Sequence, residues 1–497
     1  MEGEAHIPVL GIDVGTGGSR ALILDDSGAL LASATAEHAP FASPRTTWAE
    51  QDPADWWRAC QQAIRSAIAA SGVSAESIAC VGLSGQMHGA VLLDANGGVL
   101  RPSLIWCDQR TEDECRWLDD SIGRTRILEL TSNTALTNFT LTKLLWVRTH
   151  EPGIWSRVRH VLLPKDYVRF QLSGEYATDV ADASGTLMLD VTRRSWSDAM
   201  LDSAGIDAAI LPAVFESPQI CARISTTAAS LTGVPAGTPI VAGAGDQAAG
   251  AIGMGITRPG AVSATIGTSG VVFAATDRPA TDPEGRIHTF CHAVPGRWHV
   301  MGVTQAAGLS LKWFRDQLAA GTSYDQLTAE AGRVAPGADN VLWAPYLMGE
   351  RTPHCDPNAR AALLGLAASH GRGHIVRAIM EGVAFSLRDT FSIFAQLQLP
   401  VESIRLGGGG SRSALWRQIQ ADVYGQPVDT AVDEGAAYGA AILAAVGIGR
   451  WPTVDAACDA LVRGVATTTP QPAVVAQMTE RYNAYRRIYP ALRKVHG

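Results

Sequence analysis

A single carboxylate, Asp246, stands where the sequence leaves a short apolar strand end, Pro239-Ile240-Val241, and enters a glycine and alanine run that reaches Gly255. Small residues suit a helix packed tightly against another backbone, and Asp is favoured at a helix N-terminus. The expectation is that Asp246 projects into a cleft at the seam of two domains, where the helix dipole keeps it charged. An ordinary capping Asp after a glycine turn is the alternative for this stretch taken by itself. Two further segments carry residues suited to a polyhydroxy ligand. Ser84-Gly85-Gln86-Met87-His88-Gly89 interrupts two apolar strands, 78–83 and 90–93, at a strand end, where α/β sheets bind ligands. Trp106 and Asp108 offer an aromatic face and a carboxylate acceptor, a pairing that fits a sugar. Core packing competes as a reading for both His88 and Trp106.

Phosphate chemistry is indicated by three glycine-rich turns. The first follows Asp13 and runs Gly15-Thr16-Gly17-Gly18 between two apolar strands, so that backbone N–H groups can approach an anion closely. Residues 260–275 repeat the layout around Gly267-Thr268-Ser269-Gly270, which points to a duplicated domain with phosphates held between the halves. The third turn follows strand Ile404-Arg405-Leu406 as four consecutive glycines, Gly407 to Gly410, then Ser411 and a helix containing Trp416, Gln418 and Asp422. Strand, glycine run, helix is the order in which backbone meets a nucleotide. A last small-residue helix from Glu434 is expected to press against that loop.

The elements that must hold these residues follow from turn and cap signals. Residues 7–34 read as a β-meander turned at Asp26-Ser27-Gly28. Asp52 as cap and Pro53 as first residue start a helix that runs to about Ala70. The stretch 112–235 mixes helical patterns, such as 142–150, with loops and has no nucleophile–base arrangement. Residues 374–397 read as a long helix.

Length and composition bound the rest. With 497 residues, 46% apolar and 18% charged, the chain is long enough for two to four domains with substantial cores. A net charge of −8 argues against a nucleic-acid partner. A basic start followed by an apolar core is missing at the N-terminus, and the stretch around 436–449 is too short to span a bilayer, so a cytoplasmic protein is expected. The eight cysteines form no Cys-x-x-Cys pair, and Cys291-His292 with His288 and His299 matches no zinc spacing.

Together these motifs resemble the FGGY family of carbohydrate kinases over about residues 7–490. One family signature looks complete as Ala361-x-Leu363-x-Gly365-Leu366, seven residues, then His374-Ile375-x-x-Ala378-Ile379-Met380-Glu381; another is nearly met by Phe139-Thr140-Leu141-Thr142-Lys143-Leu144-Leu145-Trp146-Val147. The resemblance implies two α/β domains of the actin-like, ribonuclease-H-like ATPase fold, here 1–247 for sugar and 248–497 for nucleotide, with a cleft between them. It implies ATP and Mg²⁺ as cofactors and a sugar as the partner, with a homodimer as a family habit. Asp246 would be the general base, and Asp13 would lie by the magnesium–phosphate site. Gly15, Thr16, Gly17, Arg20, Gly267, Thr268 and Ser269 would face the phosphates, and Gly408, Gly409, Gly410 and Ser411 would lie by adenosine. Gln86, Met87, His88, Trp106, Asp108 and Gln247 would bind the sugar. Gln86-Met87-His88-Gly89, Trp48-x-Glu50-Gln51-Asp52-Pro53 and Glu350-Arg351-Thr352-Pro353-His354 look like xylulokinases, whereas Gln247 and Arg20 look like glycerol kinase residues. The implied reaction is transfer of a phosphoryl group from ATP to a pentulose, with D-xylulose as the first expectation. The rivals are a sibling kinase for ribulose, gluconate or glycerol, and a nucleotide-switched actin-like binding protein.

Overall fold

The computed structural model describes residues 7–431 and 435–496. Strands β1 (Val9–Val14), β2 (Gly18–Leu24) and β3 (Leu30–Glu37) form the expected meander, and helix α1 (Pro53–Ser71) begins with the Asp52 carboxylate accepting from the Ala54 N–H. Then come β4 (Cys80–Gly85), α2 (Thr140–His150), β5 (Ile220–Arg223), β6 (Pro239–Val241), the two-residue β7 (Ala244–Gly245) and α3 (Asp246–Gly253). The second half contains β8 (Gly260–Ile266), β9 (Gly270–Thr276), β10 (His288–Cys291), β11 (Trp298–Thr304), α4 (Gly308–Leu318) and α5 (Arg372–Gln396). It ends through β12 (Val401–Gly407), α6 (Ala414–Tyr424), β13 (Val428–Ala431), α7 (Gly435–Gly447) and β14 (Gly464–Thr468). Glu434, expected to open α7, lies outside the described residues.

The duplication read from the two hairpins is present in the sheet topology. The first sheet runs β3-β2-β1-β4-β6-β5 and the second β10-β11-β9-β8-β12-β13-β14. In each, a run of antiparallel strands, three in the first sheet and four in the second, is followed by two parallel ones, β4 and β6 or β12 and β13, reached through crossover helix α1 or α5. Neither half borrows a strand from the other, but they do share a helix layer. Alternation along β1 sends Leu10 and Ile12 into the core beneath α1, while Val9 and Gly11 face α7, a helix from the second half. Here backbone meets backbone. A Cβ on Gly11 would fall 2.1 Å from the Ala437 carbonyl oxygen, one on Gly82 1.9 Å from that of Ala440, and one on Gly439 1.8 Å from that of Ala249. Helix α7 is thus sandwiched between the first sheet and α3, which explains its run of Gly and Ala. It packs on these elements rather than on the third glycine loop, contrary to expectation.

Candidate active site

Three parallel strand ends set the centre of the site. Asp13 on β1, Ser84 on β4 and Ala244 on β7 lie abreast in register, and Asp246 follows one step beyond the end of β7. Asp13 shares the face of β1 with Gly11, the face on which α3 and α7 pack, so the two carboxylates sit on the same side of the sheet. Burial pushes Asp246 up to about 7, with the Asp13 charge adding to it and the Gln247 amide groups opposing. Burial also pushes Asp13 up to about 6, opposed by the Ser84 hydroxyl and the Arg20 guanidinium. The expectation that the helix dipole keeps Asp246 charged is corrected, because desolvation and the facing carboxylate raise it; the alternative of an ordinary capping Asp fails as well, since Gly245 is the cap residue and no side chain caps this helix. Asp13 Oδ1 is buried without a hydrogen-bond partner. A carboxylate pair with one uncommitted oxygen fits a hard divalent cation that takes its remaining ligands from water and phosphate. Among the described residues no group of three or more His, Cys, Asp or Glu is placed to hold a metal ion, and a magnesium ion needs no such group.

The first turn is tied to the Gln86–His88 segment by a relay of side chains. Gln86 Nε2 donates to Gln51 Oε1 at 3.0 Å and to the Gly15 carbonyl at 3.3 Å, while Gln51 Nε2 donates to the Thr16 carbonyl at 2.8 Å. The Trp106 indole, 37% exposed, donates to Thr16 Oγ1 at 2.9 Å. Gly17 is open to solvent, and Arg20 reaches Ser33 Oγ at 2.8 Å. Gln51 was not among the residues singled out from the sequence; its role depends on α1 bringing it to the turn, and only its place in the Trp48–Pro53 motif hinted at it.

Met87 lies over Gly245, where a Cβ would meet its Cγ at 2.8 Å. His88 adopts φ +67 and places Nδ1 2.6 Å from the Gly185 carbonyl. A carbonyl only accepts, so Nδ1 carries the proton and Nε2 offers a lone pair. Burial, and then the Lys143 charge, hold His88 well below the ordinary imidazole range, so it is neutral. Lys143, on α2, donates to the His88 carbonyl at 2.7 Å and to that of Asn138 at 2.6 Å, and burial draws it down to about 7. It fixes the unusual backbone of His88. The signal for it was a lysine inside an otherwise buried signature helix.

Asp108 does not join the cleft. It is fully buried, and its oxygens accept from the Arg110 guanidinium, the Arg110 N–H and the Ala49 N–H. Its work is to anchor Arg110, which also pairs with Glu50 at 2.8 Å and stacks over Trp48 at 3.7 Å. The sugar-acceptor expectation for Asp108 is therefore corrected.

On the other side, a cleft of about 760 Å³ gathers Gly267, Thr268, Gly308, Gly409, Gly410 and Tyr324. The second turn rests on the loop leading into α4: Gly308 N–H donates to the Gly267 carbonyl at 2.8 Å, and the Ala307 and Leu309 N–H groups to that of Thr268 at 3.0 and 3.1 Å. Gly308, unnoticed in the sequence, is required because a Cβ would meet the Gly267 carbonyl at 2.4 Å. Gly408 turns at φ +69 directly over the Ile266 carbonyl, and Ser411 Oγ donates to the Gly408 carbonyl at 2.8 Å. Gly408, Ser411 and Ser269 shape these turns, while Gly409 and Gly410 line the cleft. No helix among the described residues is long and apolar enough to cross a membrane.

Two family models, the N- and C-terminal domains of the FGGY family of carbohydrate kinases, match residues 8–253 and 262–448. A xylulose kinase of Escherichia coli (strain K12) is 40% identical over 439 residues, 88% of this chain and 89% of that protein. One of Bacillus subtilis (strain 168) is 37% identical over 482 residues, 97% of this chain and 96% of its own length. The crystal structure of xylulose kinase from Rhodospirillum rubrum superposes with a TM-score of 0.92 at 31% identity, covering 98% of this chain and 99% of that one. The two mixed sheets are accordingly those of the actin-like, ribonuclease-H-like fold, as expected. With both domain models matched in order and close relatives aligned along nearly its whole length, the chain is a phosphotransferase and belongs to the FGGY family of carbohydrate kinases.

Proposed function

We propose that the protein transfers the γ-phosphoryl group of ATP to a terminal hydroxyl of a pentulose, converting D-xylulose to D-xylulose 5-phosphate, with residues 1–247 serving the sugar and 248–497 the nucleotide. The observation that carries the reading is the pairing of Asp246, poised near 7, with the uncommitted Asp13 at the ends of β1, β4 and β7. A general base works best when its pKa lies near the working pH. Asp246 accepts the hydroxyl proton as the phosphoryl group leaves ADP, and Gln247 steadies the sugar beside it. Met87, the lone pair of His88 Nε2 and the face of Trp106 hold the sugar. The Gly15–Gly17 and Gly267–Ser269 turns present backbone N–H groups to the phosphates, and Arg20 adds charge beside Asp13. Gly408–Ser411 form the adenosine side. Asp13 would hold Mg²⁺, whose chemistry is to neutralise charge on the phosphates. Phosphoryl transfer has a loose transition state, so positioning and charge neutralisation dominate.

The xylulose kinase relatives support D-xylulose over ribulose, gluconate or glycerol. The test is ADP release with each sugar as acceptor: D-xylulose is expected to give the highest kcat/KM, and turnover of ATP indifferent to any sugar would instead favour an actin-like switch. Replacing Asp246 by Asn is expected to lower kcat by about 10²–10⁴ with the KM for ATP little changed. Near-full turnover in that variant would remove the assignment.

A further inference from the structure

Arg351 is a recessed cation for which the described residues supply no partner. It is half-buried, and its guanidinium makes no hydrogen bond or ion pair with any described residue, although its backbone is firmly held. Its neighbour Glu350 does not neutralise it: Glu350 Oε1 accepts from the Gln305 and Arg351 N–H groups at 2.8 Å each. Burial pushes Glu350 up to about 8, leaving it largely protonated at neutral pH. A half-buried guanidinium with no acceptor from the protein leaves its donors free for one from a ligand.

Its place in the fold indicates which ligand. The loop carrying Arg351 is stapled to the end of β11, where Thr352 N–H donates to the Val303 carbonyl at 3.0 Å and Val303 N–H to Thr352 Oγ1 at 3.1 Å. One strand over, His288 on β10 pairs with Met301 of β11. Strand β10 is in turn clamped to the first half by Asn133, whose amide exchanges hydrogen bonds of 2.8 and 3.1 Å with Thr289. The rings that follow, Phe139 against His288 at 5.5 Å and against His88 at 5.1 Å, lead directly to the proposed sugar pocket. Accordingly the Arg351 charge is felt by His88, Cys107 and Lys143 from the first half and by His288 and Cys355 from its own. Asp246 instead feels Asp13. His88 and His288 are both neutral by burial, and Asp108 is spent on Arg110, so no carboxylate here competes for the guanidinium.

We propose that Arg351 is the sugar-recognition residue contributed by the second half, donating hydrogen bonds to the C1 hydroxyl and C2 carbonyl oxygens of the ketose, the end remote from Asp246. The inference rests on the sugar-kinase reading above and extends it. Two oxygens on adjacent carbons suit the planar fork of a guanidinium, which an ammonium matches less well.

The experiment compares D-xylulose with 1-deoxy-D-xylulose, which lacks the C1 hydroxyl, in the wild-type enzyme, Arg351→Met and Arg351→Lys. In the wild type, loss of that hydroxyl is expected to lower kcat/KM roughly 10–100-fold. In Arg351→Met the KM for D-xylulose should rise by a similar factor, and the preference for D-xylulose should shrink to within about threefold. Arg351→Lys should recover part of both. The KM for ATP and the thermal midpoint should stay near wild type, which a merely structural role would not allow. An Arg351→Met or Arg351→Lys enzyme that keeps the wild-type sugar KM and the wild-type preference overturns the proposal while leaving the kinase reading intact. A wild-type enzyme inactive on every sugar overturns both.

Discussion

The two glycine hairpins have one design and different supports. Asp13-Val14-Gly15-Thr16-Gly17-Gly18 and Thr265-Ile266-Gly267-Thr268-Ser269-Gly270 occupy the same place in their sheets, each at the turn between the first two strands of its half. In the first, side chains do the fixing: Gln51 and His38 reach the Thr16 carbonyl at 2.8 and 3.3 Å, and Trp106 reaches its hydroxyl. In the second, the backbone of the loop entering α4 does it, and the Thr268 side chain stays exposed beside the cleft. The residue two places before the turn differs most. Asp13 faces Ser84 and is raised to about 6, whereas Thr265 faces Gly407 and makes only a long hydrogen bond of 3.4 Å to the Val271 carbonyl. The lesson is that duplication supplied two turns of one design, and a single carboxylate with its network of side chains sets the first apart from the second.

That contrast can be broken most decisively at its point of difference. Asp13→Asn is expected to lower kcat by about 10²–10³, the scale of losing one preorganised charge stabiliser, whereas Thr265→Val should cost less than about tenfold. Equal losses in a steady-state assay would mean that the halves are not specialised as described. The next test is pH. With Asp246 raised to about 7, its base form is lost as pH falls, so kcat/KM should drop about tenfold per unit below that value. Removing the Asp13 charge lets Asp246 ionise more easily, so the acid limb of the residual activity in Asp13→Asn should move to lower pH. Stability runs the other way: both groups are raised in the folded state, so the fold binds extra protons between about 4 and 7 and their contribution weakens as pH rises through that window. The smallest effect belongs to the supports. Trp106→Phe keeps an aromatic face but loses the donor to Thr16, and a two- to tenfold loss in kcat/KM for sugar is expected. Thr268→Ala should instead raise the KM for ATP.

Much of this was legible in the residues. The meander, the Asp52 cap, both hairpins, the long helix (374–397 expected, Arg372–Gln396 found) and the glycine loop all follow from turn chemistry and periodicity, which are local properties. What escaped was what depends on distant chain segments. Gln51 and Gly308 matter because of a turn that lies far from each in sequence, and beyond the motif around Gln51 no nearby pattern marks them. Asp108 looked free because its composition suits a sugar, but Arg110, two residues on, closes around it. Asp246 was expected to be kept charged by the helix it opens, but burial and then the charge of Asp13, far away in sequence, raise it.

The contact of α7 with the first sheet and with α3 is made without side chains at Gly11, Gly82 and Gly439. Between those three points α7 buries Ala441, Ile442 and Leu443 in a core shared with Val9 and Leu22 of the first sheet. A packed core resists small displacements. Helix α7 is thus fastened to the first half twice over, by backbone fit at three glycines and by side chains between them, and a methyl group added at any of the three would wedge the seam apart.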